Sequence, residues 1–245
     1  MNYDLIDKWA LVVGASKSLG RAVAETLARQ GAKVMAVARS AQLLESIGLE
    51  ESGGATFAGD MTVPADRARL LDRLANSFGL PDIVVHAMGG SLGIRDPLAP
   101  SADLARVWDL NLGAAHEINR HLIPAMLAKG WGRIVHFSSN GVGLATGNAG
   151  YTSAKGAVEA YVRVMAKQYG KAGVVMTAVA PGPFDNGYAF IYKQDAAWTK
   201  AFMDSYVPMG RWGLPEECAK LVAFLCSDAA SYMAGAVVPV DGGMR

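Results

Sequence analysis

Short apolar segments alternate with longer segments of helical periodicity along the whole 245-residue chain. The segments that predict strands are Ala10–Val13, Lys33–Ala38, Ala55–Ala58, Ile83–His86, Arg133–Phe137, Val174–Ala180 and Ala236–Val240. The segments whose apolar spacing predicts helices are Ser18–Gln30, Ala41–Ile47, Ala65–Phe78, Ser101–Ala128, Tyr151–Tyr169 and Pro215–Ser227. Continuous apolar strands such as 174–179 suit a parallel sheet that is buried on both faces. The chain is therefore predicted to form an α/β, doubly wound Rossmann fold, with a parallel seven-stranded sheet and helices on both faces.

Charge and composition exclude several classes of protein. The net charge is +1 and no basic stretch is present, so nothing favours nucleic-acid binding. No apolar run approaches the ~18 residues of a membrane span, and the first residues do not resemble a signal peptide. Cys218 and Cys226 lie too far apart in one predicted helix to form a disulfide, and no histidine has metal-ligand spacing with them. We expect a cytoplasmic, single-domain protein with reduced cysteines, no metal and no membrane association.

Glycines and polar residues cluster just after the predicted strands. In a doubly wound sheet, ligands bind beyond the carboxyl ends of the strands, where the strand order reverses. The first such cluster is the turn Gly14-Ala15-Ser16-Lys17-Ser18-Leu19-Gly20. Glycines in this turn let backbone N–H groups approach a pyrophosphate at the start of a helix. An ordinary glycine turn is the alternative, and Ser18 stands where a third glycine is expected.

Tyr151 and Lys155 lie four residues apart at the start of a predicted helix, which places them on one helix face. A tyrosine has a pKa of about 10, and a cation held beside it favours the phenolate. A phenol tuned in this way can act as a general acid or base. A pair on the helix surface is the alternative interpretation.

Together these features resemble the short-chain dehydrogenase/reductase family, and within it the 3-oxoacyl-[acyl-carrier-protein] reductases and related carbonyl reductases. The likeness covers essentially the whole chain. The family's Thr-Gly-x-x-x-Gly-x-Gly motif is matched with two substitutions by Val13, Gly14, Ser18 and Gly20. The other matches, in the family's order, are Asp60 in Gly59-Asp60-Met61-Thr62, Asn111 in Asp109-Leu110-Asn111-Leu112, Tyr151 with Lys155, Pro181-Gly182, and the tail from Gly210-Arg211-Trp212-Gly213 to Val240-Asp241-Gly242-Gly243.

The resemblance implies hydride transfer between a nicotinamide and a ketone or secondary alcohol, within one dinucleotide-binding domain over residues 1–245. Tyr151 would protonate the nascent alkoxide, and Lys155 would lower the pKa of Tyr151 and hold the nicotinamide ribose. Asn111 would anchor a water that relays protons to Lys155. The implied cofactor-binding residues are Gly14, Ser16, Lys17, Ser18, Leu19, Gly20, Arg39, Asp60, Met61, Ala87, Gly89, Tyr151, Lys155, Pro181, Gly182 and Asn186.

The catalytic serine is predicted to be Ser139. The family's usual spacing to the tyrosine points to Ser138, but the phase of the strand aligns the family's serine with Ser139. A slip of one residue would turn every side chain of a buried strand to the opposite face, whereas a glycine-rich loop tolerates a change of length.

The cofactor is predicted to be NADP(H). A carboxylate that binds the ribose 2′-hydroxyl is expected at the end of the second strand in an NAD-type site, and Ala38 stands there. Arg39 follows it and could hold a 2′-phosphate, with Lys17 as a second basic group. Two solvated side chains are the alternative.

Two motifs depart from the family. His86-Ala87-Met88-Gly89 replaces Asn-Asn-Ala-Gly, so His86 is expected to make a structural hydrogen bond, with a catalytic role as the alternative. Asn186 stands where a threonine commonly holds the nicotinamide amide.

The substrate is expected to be a small ketone or alcohol. By resemblance a substrate lid spans about 183–212, and its aromatic residues suggest an apolar or aromatic substrate, although some of them could simply pack the lid onto the sheet. Arg95 could contact an anionic substrate group or remain solvated. The resemblance also implies a homotetramer that pairs the helices predicted over 101–128 and 151–169. A dinucleotide-binding sensor or partner subunit without turnover remains the alternative function.

Overall fold

A computed structural model describes residues 3–185 and 195–244. Its strands are β1 Trp9–Val13, β2 Lys33–Ala38, β3 Ala55–Ala58, β4 Ile83–His86, β5 Gly132–Phe137, β6 Val174–Pro181 and β7 Val237–Val240. They form a parallel sheet in the order β3-β2-β1-β4-β5-β6-β7. The predicted strands are confirmed, with ends that shift by one residue or none, because apolar runs bounded by turn residues define them closely.

Helices cover both faces of the sheet, as predicted. The α-helices of the described residues are α1 Ser18–Arg29, α2 Ala41–Glu45, α3 Pro64–Arg73, α4 Ser101–Trp108, α5 Ala114–Lys129, α6 Asn140–Leu144, α7 Ala149–Tyr169, α8 Ala196–Tyr206 and α9 Pro215–Leu225. Alternate strand residues point to opposite faces. Val12 therefore packs in the core layer that includes residues of α1 and α9, and Leu11 packs in the layer that includes residues of α3, α5 and α7.

The prediction of one continuous helix over 101–128 is wrong in the middle of that segment. A π-helical turn, Asp109–Gly113, separates α4 from α5. The side-chain amide of Asn111 donates to the carbonyl of Val107, at 2.7 Å, and to that of Gly90, at 2.8 Å. A side chain that competes for helix carbonyls disturbs the regular ladder, and π turns often mark functional sites. The helix predicted over 65–78 likewise ends in a π turn, Leu74–Phe78.

Two helices were not predicted. The segments that form α6 and α8 were expected to be loops. Asn186 and three aromatic residues of the predicted lid, Tyr188, Phe190 and Tyr192, lie outside the described residues.

Both cysteines are free and buried, as their spacing predicts. Within residues 3–185 and 195–244, no helix has the length and apolar character needed to cross a membrane.

A buried polar cluster joins the centre of the sheet to α5. His86 and His136 are partners in the β4–β5 register, and their ring centroids lie 4.6 Å apart. Asn119 bridges them, with its Oδ1 2.8 Å from His86 Nε2 and its Nδ2 3.2 Å from His136 Nε2. Because an amide offers one acceptor and one donor here, the two neutral rings play opposite roles. The expected structural hydrogen bond of His86 is confirmed.

This cluster should make the protein sensitive to acid. Burial lowers the pKa of His86 to about 4, and it also lowers that of His136, with contributions from His86 and Lys155. On acidification the unfolded chain takes up these protons near pH 6.5, whereas the folded chain resists them down to about pH 4 for His86. Stability is therefore lost as the pH falls through this window, by on the order of 3 kcal/mol for His86 alone.

Urea unfolding of wild type and His86→Asn at pH 7 and pH 4.5 measures the effect. We expect the variant to be less stable at pH 7 but to lose less stability on acidification. An equal loss in both proteins would show that His86 does not contribute to the acid sensitivity.

Candidate active site

The residues singled out in the sequence meet at the carboxyl edge of the sheet, where the order reverses between β1 and β4. The glycine turn follows β1, residues 87–90 follow β4, and Ser138 and Ser139 follow β5. Among the described residues, no group of three or more His, Cys, Asp or Glu side chains is placed to hold a metal ion.

The glycine turn is shaped for a close approach of backbone. Gly14 has a φ of +90°, and a Cβ on it would lie 2.7 Å from the backbone nitrogen of Met88. A Cβ on Gly20 would collide with the carbonyl oxygen of Gly14. No side-chain hydrogen bond caps the N-terminus of α1, where Lys17 is the N-cap residue. The turn can therefore present helix N–H groups to an anion, as the glycine pattern predicts.

Ser18 adopts the left-handed conformation that its place in the motif requires. Its φ is +57°. The left-handed backbone conformation costs a residue with a Cβ about 1–2 kcal/mol, whereas glycine adopts it without this cost. The substitution in the motif therefore leaves the path of the turn intact at some cost in stability.

Arg39 and Asp60 lie beyond the ends of β2 and β3. Arg39 is exposed and directly follows Ala38, so no carboxylate ends β2. Asp60 Oδ1 accepts hydrogen bonds from the backbone and the hydroxyl of Thr62, at 2.9 and 2.7 Å. Met61 was predicted to bind cofactor, but its side chain is buried in the core and its carbonyl accepts a hydrogen bond from Arg67. A contact between Met61 and the cofactor would therefore be made by its backbone and not by its side chain.

Gly89 brings the backbone after β4 close to two functional side chains. A Cβ at Gly89 would lie 2.6 Å from Asn111 Oδ1 and 2.7 Å from Lys155 Nζ. Asn111 Oδ1 also accepts from the backbone N–H of Gly90, at 3.1 Å. The π turn therefore places Asn111 next to Lys155, as the motif predicts, and any side chain larger than hydrogen at position 89 would displace them.

Lys155 is buried beneath the end of β5. Its side chain is almost completely excluded from solvent, and Nζ donates to the carbonyl of Phe137 at 2.6 Å. Burial lowers the pKa of Lys155 to about 7. The lysine can therefore exchange a proton near neutral pH, which a solvated lysine cannot do.

The pKa of Tyr151 differs from the expectation. The pKa of its phenol was predicted to fall beside Lys155, but burial raises it, and a hydrogen bond with Ser139 opposes part of the rise. Lys155 Nζ lies 5.7 Å from the centre of the Tyr151 ring and points to Phe137. Desolvation of the phenol therefore sets the direction of the pKa shift in this arrangement.

The two serines face different partners. Ser139 accepts a hydrogen bond from the backbone of Gly141 at 3.2 Å, and it lies close enough to the Tyr151 hydroxyl to lower the pKa of the phenol. Ser138 is buried, and its hydroxyl donates to Glu159 Oε1 at 2.8 Å. Only Ser139 therefore has a described contact with the tyrosine, which is the arrangement that the strand phase favours.

The segments around β6 and β7 complete this edge. A Cβ at Gly182 would lie 2.6 Å from Asp241 Cβ, and the Gly182 N–H donates to Val240 at 2.9 Å. Asn140 Nδ2 lies 3.3 Å from Met244 Sδ, so the C-terminal tail reaches the residue next to Ser139. Sequence reasoning missed Asn140 and Met244, because no local pattern links positions so far apart.

The described part of the predicted lid has one aromatic side chain in the core and a separate group of stacked aromatic rings. Phe184 is buried in the core layer that includes α1 and α9. Trp198 and Phe202, one helical turn apart in α8, stack at 5.2 Å, and Trp212 lies 6.2 Å from Phe202. Arg95 lies exposed in the loop after β4.

The chain is similar to known proteins over nearly its whole length. Residues 14–245 match the family model described as enoyl-(acyl carrier protein) reductase. The 3-oxoacyl-[acyl-carrier-protein] reductase of Pseudomonas aeruginosa is 36% identical over 247 residues, which cover 97% of each chain. The structure of a 3-oxoacyl (acyl-carrier-protein) reductase from Agrobacterium tumefaciens with NADP bound has a TM-score of 0.91 at 27% identity, and covers 99% of this chain and 96% of that one.

The structure of L-sorbose reductase from Gluconobacter frateurii complexed with NADPH and L-sorbose is equally similar in fold. Its TM-score is 0.91 at 28% identity, and the alignment covers 100% of this chain and 98% of that one.

The different surroundings of the two serines lead to a ranking of variants. Ser139→Ala removes a hydroxyl that contacts Tyr151 and should lower kcat by about a hundredfold, as the loss of one oxyanion donor does. Ser138→Ala leaves that hydroxyl in place and should cost about tenfold or less. Steady-state kinetics of the two single variants measure the ranking, and the reverse order would show that spacing to the tyrosine identifies the serine better than strand phase.

Proposed function

The chain belongs to the short-chain dehydrogenase/reductase family, and from this we propose that it is an NADPH-dependent carbonyl reductase. It transfers hydride between the nicotinamide and a ketone or secondary alcohol. The observation that carries the proposal is the meeting of Tyr151, Ser139 and Lys155 at the end of β5. A protein that only binds a dinucleotide has no use for a partly buried phenol near a serine hydroxyl and a buried lysine.

The residues at the carboxyl edge fit a dinucleotide with a 2′-phosphate. At Gly14 and Gly89 a Cβ would meet neighbouring protein atoms, so only glycine lets the segments after β1 and β4 pack this closely at the edge where the dinucleotide is proposed to bind. Arg39, without a neighbouring carboxylate at the end of β2, suits a phosphate through its planar guanidinium. The cofactor supplies the hydride when bound.

Tyr151 is the proposed proton donor in reduction. Because burial raises its pKa, the phenol stays protonated at neutral pH and can donate to a carbonyl oxygen that gains negative charge. Ser139 donates a hydrogen bond to the same oxygen and so stabilises the developing charge. Lys155, with a pKa of about 7, can return a proton toward Tyr151 after each turnover.

Asn111 is proposed to hold a water that supplies Lys155 with protons. The amide nitrogen of Asn111 donates to Gly90 and Val107, and its oxygen accepts from Gly90. These bonds use both hydrogens of the side-chain amide, so the water would donate a hydrogen bond to an oxygen of Asn111.

The substrate is proposed to be a ketone with an apolar or ring-bearing part. The relatives are named as reductases of a 3-oxoacyl carrier and of L-sorbose, which are both ketones. The stacked rings of Trp198 and Phe202 in the lid favour a flat or apolar group over a highly charged one.

NADPH should be preferred to NADH by tenfold or more in kcat/KM. Loss of a charge-assisted contact to the 2′-phosphate costs on the order of 1.5–3 kcal/mol, which is at least tenfold in affinity. The measurement follows absorbance with both cofactors against a panel of ketones. Arg39→Ala should narrow the preference, and Lys171→Ala, an exposed cation elsewhere, should leave it unchanged. Equal values for the two cofactors would contradict the cofactor assignment, and NADPH binding with no ketone reduced would favour the sensor alternative.

Tyr151→Phe should abolish turnover and leave NADPH binding nearly intact, because it removes one hydroxyl and keeps the ring. Lys155→Ala should damage both, since the lysine is assigned to the cofactor ribose and to the phenol. Steady-state kinetics and fluorescence titration with NADPH measure the two effects. If Tyr151→Phe kept a tenth of the wild-type kcat, the proton donor would be misassigned.

A homotetramer is the proposed assembly. Trp108 in α4 and Val164 in α7 are large apolar side chains that are 50% and 65% exposed, on the helices that pair across subunits in this family. Sedimentation equilibrium should give about four times the chain mass of 25.7 kDa. A monomer at micromolar concentration would refute the assembly.

A further inference from the structure

A buried carboxylate lies two turns along α7 from the proposed proton donor. Tyr151, Lys155, Glu159 and Arg163 follow one another at four-residue intervals, so they form a stripe along the helix. Glu159 is only 7% exposed. Its Oε1 accepts a hydrogen bond from Ser138 at 2.8 Å, and its Oε2 pairs with Arg163 at 3.3 Å.

The burial of Glu159 is not explained by stability. Removing a carboxylate from water costs several kcal/mol, and a pair with a half-exposed arginine repays this poorly. Apolar side chains such as Val158 and Val162 fill the neighbouring buried positions of α7 without such a cost. A charged residue at this position therefore indicates that Glu159 positions neighbouring groups.

Ser138 links this carboxylate to the reacting end of the site. Its backbone N–H donates to Val179 of β6 at 2.7 Å, which continues the sheet, and its hydroxyl also lies 3.4 Å from the carbonyl of Lys155. Successive residues of an extended chain point to opposite sides, so Ser138 faces Glu159 while Ser139 faces Tyr151. The position of Ser138 therefore determines where the Ser139 hydroxyl lies.

We propose that Glu159 is a positioning residue that acts through Ser138 to hold the Ser139 hydroxyl against Tyr151. The proposal rests on the proposed function, in which Ser139 donates to the substrate oxygen. Two bonds on successive residues fasten the end of β5 to α7, one from Lys155 Nζ to the Phe137 carbonyl and one from Ser138 to Glu159. Without the second bond, the hydrogen bonds that remain between residues 137–138 and α7 are those to Lys155.

The expected effect is on kcat. A displacement of 1 Å at a reacting group can cost about a hundredfold in rate, so a partial loss of this constraint should cost about tenfold. Glu159→Leu removes the acceptor and keeps a buried side chain of similar size. Glu159→Gln keeps an acceptor oxygen for Ser138 and should restore kcat to within about threefold of wild type. NADPH affinity and KM for the ketone should change little in both variants, because neither Glu159 nor Ser138 is assigned to cofactor or substrate.

The decisive experiment introduces Glu159→Leu into wild type and into Ser139→Ala. If Glu159 acts through the Ser139 hydroxyl, its replacement lowers kcat about tenfold in wild type and has no further effect once that hydroxyl is absent. Ser138→Ala, a smaller change, should reproduce the loss and should not add to that of Glu159→Leu. If Glu159→Leu fails to fold, the comparison of Ser138→Ala in wild type and in Ser139→Ala tests the proposal instead.

Val162→Ala is the matched control, since it shortens a buried side chain of the same helix that is not bonded to Ser138. It should lower Tm and leave kcat at 25 °C unchanged. The proposal is overturned if Glu159→Leu keeps full kcat, or if it lowers kcat by the same factor with and without the Ser139 hydroxyl. Full activity of Ser139→Ala would instead overturn the role of Ser139 in the proposed function, which is a separable result.

Discussion

The hydrogen bond from Lys155 Nζ to the carbonyl of Phe137 is the contact on which the site depends. It joins α7, which carries Tyr151, to the end of β5, which leads into Ser139. A lysine can occupy this buried position only because Gly89 lacks a side chain, since a Cβ there would meet both Lys155 and Asn111. The π turn between α4 and α5 follows from the same crowding, because Asn111 is held between Gly90 and the Val107 carbonyl. The end of β5, the helix α7 and the π turn therefore all pack around the buried amino group of Lys155.

Burial acts on the two titratable groups of the site in opposite directions. It raises the pKa of Tyr151 and lowers that of Lys155 to about 7, and in both cases it favours the uncharged form. A protonated phenol beside a lysine that titrates near neutrality suits a reduction, in which the substrate oxygen needs a proton and the donor must then be refilled. Ser139 adds a directed hydrogen bond, and the proposed constraint from Glu159 through Ser138 explains how that hydroxyl is kept in place.

Much of the fold could be predicted from the sequence. The ends of β2 and β3 match the prediction because their apolar runs are followed directly by Arg39 and by Gly59. The phase of the strand also predicts that Ser139, and not Ser138, faces Tyr151, and the contacts of the two serines support that prediction. The π turn at Asn111 could not be predicted, since apolar periodicity does not register a side chain that competes for a helix carbonyl. The pKa of Tyr151 was predicted in the wrong direction, because sequence spacing gives the nearness of Lys155 but not the depth of burial. The contact of Asn140 with Met244 joins residues over a hundred positions apart and exists only in the folded chain.

The central claim is that this edge of the sheet transfers hydride from NADPH and a proton from Tyr151 to one carbonyl group. Its most direct test is isotopic: a ketone is incubated with NADPH that carries two deuterium atoms at the nicotinamide C4 position, and the alcohol is analysed by mass spectrometry. We expect deuterium on the carbinol carbon with the wild-type protein and none above background with Tyr151→Phe. Binding of NADPH without deuterium in any product, or equal transfer by both proteins, would contradict it.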